Sequence, residues 1–364
     1  MKKLLLLIVM LLAVKANAQK YNLIIGTYTN KGNSEGIYVY DYNTFTAETT
    51  LKSTTKTVNP SYLTVSKDKK FVYSVNEDGK NSTLSAFRFN AQTGAMSLLN
   101  KKSSEGADPC FIIVDDHNVI IANYSGGSIA VFGRNADGSL TDIKQHLQHK
   151  GKSIDPKRQT SAHVHQVLFT PDKKHLISND LGEDQTYIYE YDAASATPLT
   201  TPKAFKTNAG SGPRHLAFTP NGKFAYLAHE FTGAITAFSY AKGDLHKLQE
   251  IGTIAKDFKG KIDGADIHVS PDGKFLYETN RGDANAISLF AIATDGTSTF
   301  IKTVNTLGKG PRNFSIDPTG NFLLVAHQNS NEVVIFKRNK TTGKLTDSGK
   351  RINVGAPVCL VFSK

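Results

Sequence analysis

The chain has 364 residues, 39% of them hydrophobic, with 43 Lys+Arg against 32 Asp+Glu and a formal net charge of +11. The lysines stand singly in turns (Lys67, Lys69, Lys70, Lys173, Lys174, Lys223, Lys274) rather than on one face, which argues against a nucleic-acid footprint. Cys110 and Cys359 are the only cysteines, too few for a disulfide scaffold or a thiolate metal cluster.

The first 18 residues, MKKLLLLIVMLLAVKANA, read as a cleavable export signal: Lys2 and Lys3, an apolar run Leu4 to Val14 too short to span a bilayer, then Ala16-Asn17-Ala18. Cleavage would start the mature chain at Gln19 and, by removing Lys2, Lys3 and Lys15, lower the charge from +11 to +8. A periplasmic or extracellular protein without a membrane anchor is expected.

From residue 19 onward one unit recurs. NPSYLTVSKDKKFVYSVNE (59–77) is an alternating strand, a polar turn and a second alternating strand. Related copies follow at 108–124, 163–180, 210–230, 263–281 and 310–328, and a truncated one at 356–364. Aligned on Pro60, Pro109, Val164, Pro213, Gly264, Pro311 and Pro357, the copies are 49, 55, 49, 51, 47 and 46 residues apart. Further strands such as LSAFRF (84–89) and EVVIF (332–336) complete four-stranded units.

That period predicts an all-β, seven-bladed β-propeller of four-stranded antiparallel blades, one domain over 19–364. The last copy has a single strand, and NLIIGTYT (22–29), GIYVYDY (36–42) and TAETTLKST (46–54) supply the other three, closing the ring. Cys110 and Cys359 then fall in blades two and seven, too far apart to bridge. A closed ring gives no reason to assemble, so a monomer is expected.

The topology predicts where chemistry can sit. The start of each blade's first strand and the end of its second open on one mouth of the central channel. Apolar positions barely change between copies, whereas this rim differs in nearly every blade: Arg214 and Arg312 open strands, and Tyr28, Glu77, Tyr124, Asp180, Glu230, Arg281 and Gln328 close them. The longest connection, about 145–161, brings Arg158 to the same mouth ahead of His163 and His165. His163 and His165 are expected to point opposite ways, so that one reaches the channel; His215 is expected to face away from Arg214. No G-x-S-x-G elbow, phosphate loop or C-x-x-C pair is present, and no histidine spacing indicates a metal. Arginines, carboxylates and imidazole suit an anionic substrate, carbonyl polarisation and proton transfer.

IGTYT (25–29), NPSYL (59–63), PC (109–110), ANY (122–124), RQ (158–159), HVHQ (163–166), NDLGED (179–184), GPRH (212–215), HE (229–230), TNRGD (279–283) and GPRNF (310–314) together resemble the seven-bladed propeller lactonase family, typified by bacterial 6-phosphogluconolactonase and related to carboxy-muconate lactonizing enzyme. The resemblance implies hydrolysis of a lactone without metal or organic cofactor, and the arginines of the rim suit a small, anionic one. It places catalytic roles on His163 or His165, Arg214, Glu230 and Arg281, with Glu230 or His165 as base. Arg158 and Arg312 become candidates for a distal phosphate or carboxylate, beside Asp180, Glu77, Tyr124 and Gln328 on the rim. Replacing Arg214 or Glu230 is expected to abolish turnover with little change in melting temperature. An exported propeller that binds a glycan or protein without chemistry is the alternative. A quinone-dependent propeller dehydrogenase is disfavoured because the chain lacks tryptophan.

Overall fold

The computed structural model describes residues 19–255 and 257–364; the export signal read at 1–18 lies outside them. Among the described residues the strands form seven four-stranded antiparallel sheets. The first strand of each sheet packs against the first strands of both neighbours, and the cycle closes between Pro357–Ser363 and Leu63–Val65. This is the seven-bladed propeller that the repeat predicts. In the seventh blade Pro357–Ser363 pairs with Lys20–Thr27, which pairs with Gly36–Asn43, then Thr49–Lys56.

The strands follow from the alternation. The second strand of each blade is sandwiched by its neighbours and carries long buried runs, as in Phe71–Asn76 and Phe322–His327. The outermost strands, such as Met96–Ser103, are largely solvated on one face. Between the first two strands the same turn recurs. Asp68, Asp172, Asn221 and Asp272 each accept a backbone N–H two residues on, at 3.0–3.2 Å. The residue between, Lys69, Lys173, Gly222 or Gly273, takes a left-handed φ of 56–72°, so the two lysines adopt at some cost what glycine adopts freely. Apolar side chains fill the spaces between blades: Tyr73, Ile121 and Phe132 in one cluster, Tyr277, Phe314 and Phe336 in another. Both thiols are buried and free.

Candidate active site

The side chains at the channel mouth are aimed by a backbone irregularity. In the first strands of blades two, three, four and six the pairing register shifts across one residue: between Pro109 and Phe111, Val164 and Gln166, Pro213 and His215, and Pro311 and Asn313. The skipped residues are Cys110, His165, Arg214 and Arg312. A bulge inserts one extra residue, breaks the two-residue alternation and re-aims a side chain. Three of these four bulge residues, His165, Arg214 and Arg312, are polar or charged groups of the rim.

Glu230 is the hub of one wall. Its Oε2 accepts from Arg214 Nε at 2.9 Å and from Arg281 Nη2 at 2.8 Å; its Oε1 accepts from Arg158 Nη2 at 2.6 Å. Glu230 and Arg214 are 3% and 1% exposed. Burial pushes the Glu230 carboxyl up, but Arg281, Arg214 and Arg158 outweigh it and hold it down at about 2. Arg214 also donates to the Ala265 carbonyl. Asp263 Oδ1 accepts from Arg281 at 2.7 Å, and Arg158 lies over the Phe231 ring at 4.8 Å. Among the described residues Arg158 and Arg281 commit only Nη2 to protein side chains, leaving Nη1 donors for a ligand.

The facing wall is built around Glu77, which accepts from Tyr28 Oη at 3.1 Å and from Ser61 Oγ. Arg312 lies over the Tyr28 ring at 5.6 Å, and among the described residues its guanidinium forms no ion pair. Burial raises the Glu77 carboxyl, and the Arg312 charge only partly opposes this. Between the walls lies a cavity of about 300 Å³, with His165 on its floor and Tyr124 on its side. Burial, then the charges of Arg214, His215, Arg312 and Arg281, depress His165 well below the usual imidazole range, so it is a neutral base.

Arg158 arrives on the long connection, which is fastened to the turn after Asp180. Asp180 Oδ2 meets His149 Nδ1 at 2.7 Å, Glu183 accepts from Gly151 N, and Asp184 Oδ2 accepts from Ser153 Oγ at 2.5 Å. Gln159 Nε2 donates to the Leu181 carbonyl at 2.9 Å. Gly182 allows this approach, since a Cβ there would run into the Ser161 carbonyl.

Several sequence expectations are corrected. Asp180 does not line the cavity: its Oδ1 turns back to accept N–H groups of His163, Gly182 and Glu183 at 2.8–3.1 Å. Gln328 does not line it either, and its Cγ lies beside Gly310. His163 and His165 are not on opposite sides: both rings meet Tyr124. His163 stacks on Tyr124 at 4.6 Å and bonds its carbonyl, while His165 meets the Tyr124 edge at 5.4 Å. Of the two, His165 lines the cavity. His215 does not face away from Arg214: the bulge brings both to the channel, where the His215 ring lies 5.1 Å from that of His165 and 5.3 Å from Phe111. Glu77, Tyr124, Arg158, Glu230, Arg281 and Arg312 line the cavity, with Arg214 just beneath. Asp263 and Asp266 escaped notice; an acid flanking the Gly-Ala that opens blade five was the available signal. His149, Asp180 and Glu183 bring ligand atoms within 4.8 Å of one another. Each group is nevertheless held by protein partners, Tyr189 Oη and Tyr187 Oη among them.

A family model for the seven-bladed β-propeller lactonases matches residues 22–362. The chain is 35% identical over 349 residues to a 6-phosphogluconolactonase of Bacillus subtilis, covering 94% of this chain and 98% of the relative. It is 36% identical over 332 residues to a 6-phosphogluconolactonase of Formosa agariphila, covering 89% and 94%. Among solved structures, the periplasmic gluconolactonase PpgL of Pseudomonas aeruginosa superposes with a TM-score of 0.91 at 34% identity, over 95% of this chain and 99% of that one. The chain belongs to the seven-bladed β-propeller lactonase family.

Proposed function

We propose that the protein hydrolyses a sugar lactone, of the 6-phosphogluconolactone or related aldonolactone kind, to the open hydroxy acid, with no metal or organic cofactor. The observation that carries this reading is a neutral imidazole, His165, facing a guanidinium collar across a cavity of about 300 Å³, the lower end of the range for small-molecule sites. Nη1 of Arg158 and Arg281 would donate to the lactone carbonyl and hold the oxyanion. His165 would take a proton from the attacking water as its oxygen bonds the carbonyl carbon. Collapse would break the ring C–O bond, and His165 would return that proton to the departing ring oxygen. Glu230, held near 2, is a weak base; its part is to fix the three arginines. The unpaired Arg312 supports an anionic substituent on the lactone.

Export is proposed from the 1–18 leader; the periplasmic relative PpgL is consistent with it. Acid release from purified protein should be followed over phosphorylated, neutral and carboxylated lactones, with and without a chelator. Turnover insensitive to chelation is expected. Binding without acid release from any lactone would favour the non-enzymatic propeller instead.

A further inference from the structure

Beneath the cavity floor a second, smaller space of about 10 Å³ is bounded by His165, His215, Arg214, Ser61 and Arg312. That is the room of one water molecule. His165, which borders this space, has its Nδ1 buried without a hydrogen-bond partner, while its Nε2 is not enclosed in this way. His215 is oriented from behind: its Nδ1 lies 2.8 Å from Asp266 Oδ1. A carboxylate accepts, so that nitrogen carries the proton and Nε2 keeps a lone pair. Arg214 Nη1 stands 3.4 Å from both ring nitrogens of His215, so it lies over the ring and leaves the in-plane lone pair open.

Asp266 itself cannot swing. Its Oδ1 also accepts from Ile267 N at 3.0 Å, and its Oδ2 from Asn313 Nδ2 at 2.6 Å, His268 Nε2 at 2.9 Å and Phe314 N at 3.3 Å. In the other blades the aligned position is Tyr62, Phe111, Gln166, His215, Asn313 or Cys359, so this carboxylate occurs once in the ring.

The geometry points to a directed hydrogen-bond chain, His165 Nδ1–H to a single water, that water to His215 Nε2, and His215 Nδ1–H to Asp266, which makes His215 and Asp266 positioning residues for His165. The chain fixes the His165 tautomer: with the proton on Nδ1, the Nε2 lone pair is presented to the cavity. When His165 takes a proton, the same chain delivers the Asp266 charge towards the imidazolium. An orphaned buried nitrogen, a water-sized space and an oriented second imidazole are thereby explained together.

The role given to His165 rests on the lactonase reading; the tautomer does not. Nitrogen NMR of histidine-labelled wild-type protein should find His165 protonated on Nδ1, and Asp266→Asn should mix the tautomers. Asp266→Asn should also lower kcat on the order of a hundredfold with KM little changed, and His215→Gln should act alike. Wild-type His165 protonated on Nε2, or folded Asp266→Asn with wild-type kcat, would overturn the chain. Wild-type protein with the Nδ1 tautomer but no turnover of any lactone would sink the lactonase reading and leave the chain standing.

Discussion

Arg214 and Glu230 meet across the hairpin that separates them by 16 residues, Nε 2.9 Å from Oε2, with 1% and 3% of their side chains exposed. Two ions this deeply buried are held by each other, so neither can be altered without stranding its partner.

Glu230→Gln should therefore cost stability as well as activity, against the sequence expectation of an unchanged melting temperature. Removing one partner of a buried pair typically costs about 3–5 kcal/mol, and here three guanidiniums lose their common carboxylate. Thermal melts should show the loss, and kcat/KM should fall at least about a hundredfold. A variant melting with the wild type would refute the hub.

The pH response follows from groups whose folded values are depressed. Burial and nearby arginines lower His165; burial holds His215, His229 and His327 down at about 4. The unfolded chain binds protons below the ordinary histidine value of 6.5 while the folded chain does not. The histidine contribution to stability is therefore full above 6.5 and declines as pH falls from there through the folded values. Glu230 adds to the loss as pH falls from 4.5 through about 2. The kcat/KM profile should show no inflection at 6.5; finding one there would contradict a neutral His165.

Arg312→Met should raise KM for an anionic lactone on the order of tenfold and leave that for a neutral lactone nearly unchanged. Melting should change little, because among the described residues the guanidinium holds no ion pair. Equal effects on both substrates in steady-state assays would remove the anion-binding role.

Glu278 is 1% exposed, and neither carboxylate oxygen has a hydrogen-bond partner. Burial raises its carboxyl from 4.5 to about 8. A raised acid contributes stability that is full below 4.5 and is lost as pH rises to 8, on the order of 5 kcal/mol in all. Glu278→Gln should remove that decline, melting well above the wild type at pH 8 and close to it at pH 4.5. Parallel melting curves across this range would show the carboxyl to be ionised.

The blades were readable because the apolar alternation recurs in each copy and an Asp/Asn-x-Lys turn in four of them, and because a lone terminal strand demanded partners. The rim was readable because the positions that hold Arg214, Glu230 and Arg281 change from blade to blade while the apolar positions repeat. The bulge was not, since it alters pairing without altering composition; counting by twos from Arg214 sent His215 to the wrong side. Asp180 misled for a related reason. An acid before Leu-Gly can cap the N–H groups that follow, and nothing in its spelling separates that from a carboxylate facing a ligand. The fastening of Arg158 by Glu183 and Asp184 joins segments about 30 residues apart, and only the folded chain reveals it.

Asn22 and Ser363 are partners in one sheet, which makes the seventh blade the slowest part of the molecule to assemble. Joining segments some 340 residues apart costs roughly 3 kcal/mol more loop-closure entropy than a ten-residue hairpin. Six blades can zip from local hairpins while this seam waits, leaving two raw sheet edges exposed to other unfinished copies. Refolding should thus show a late phase reported by probes near Cys359, and yields that drop as protein concentration rises.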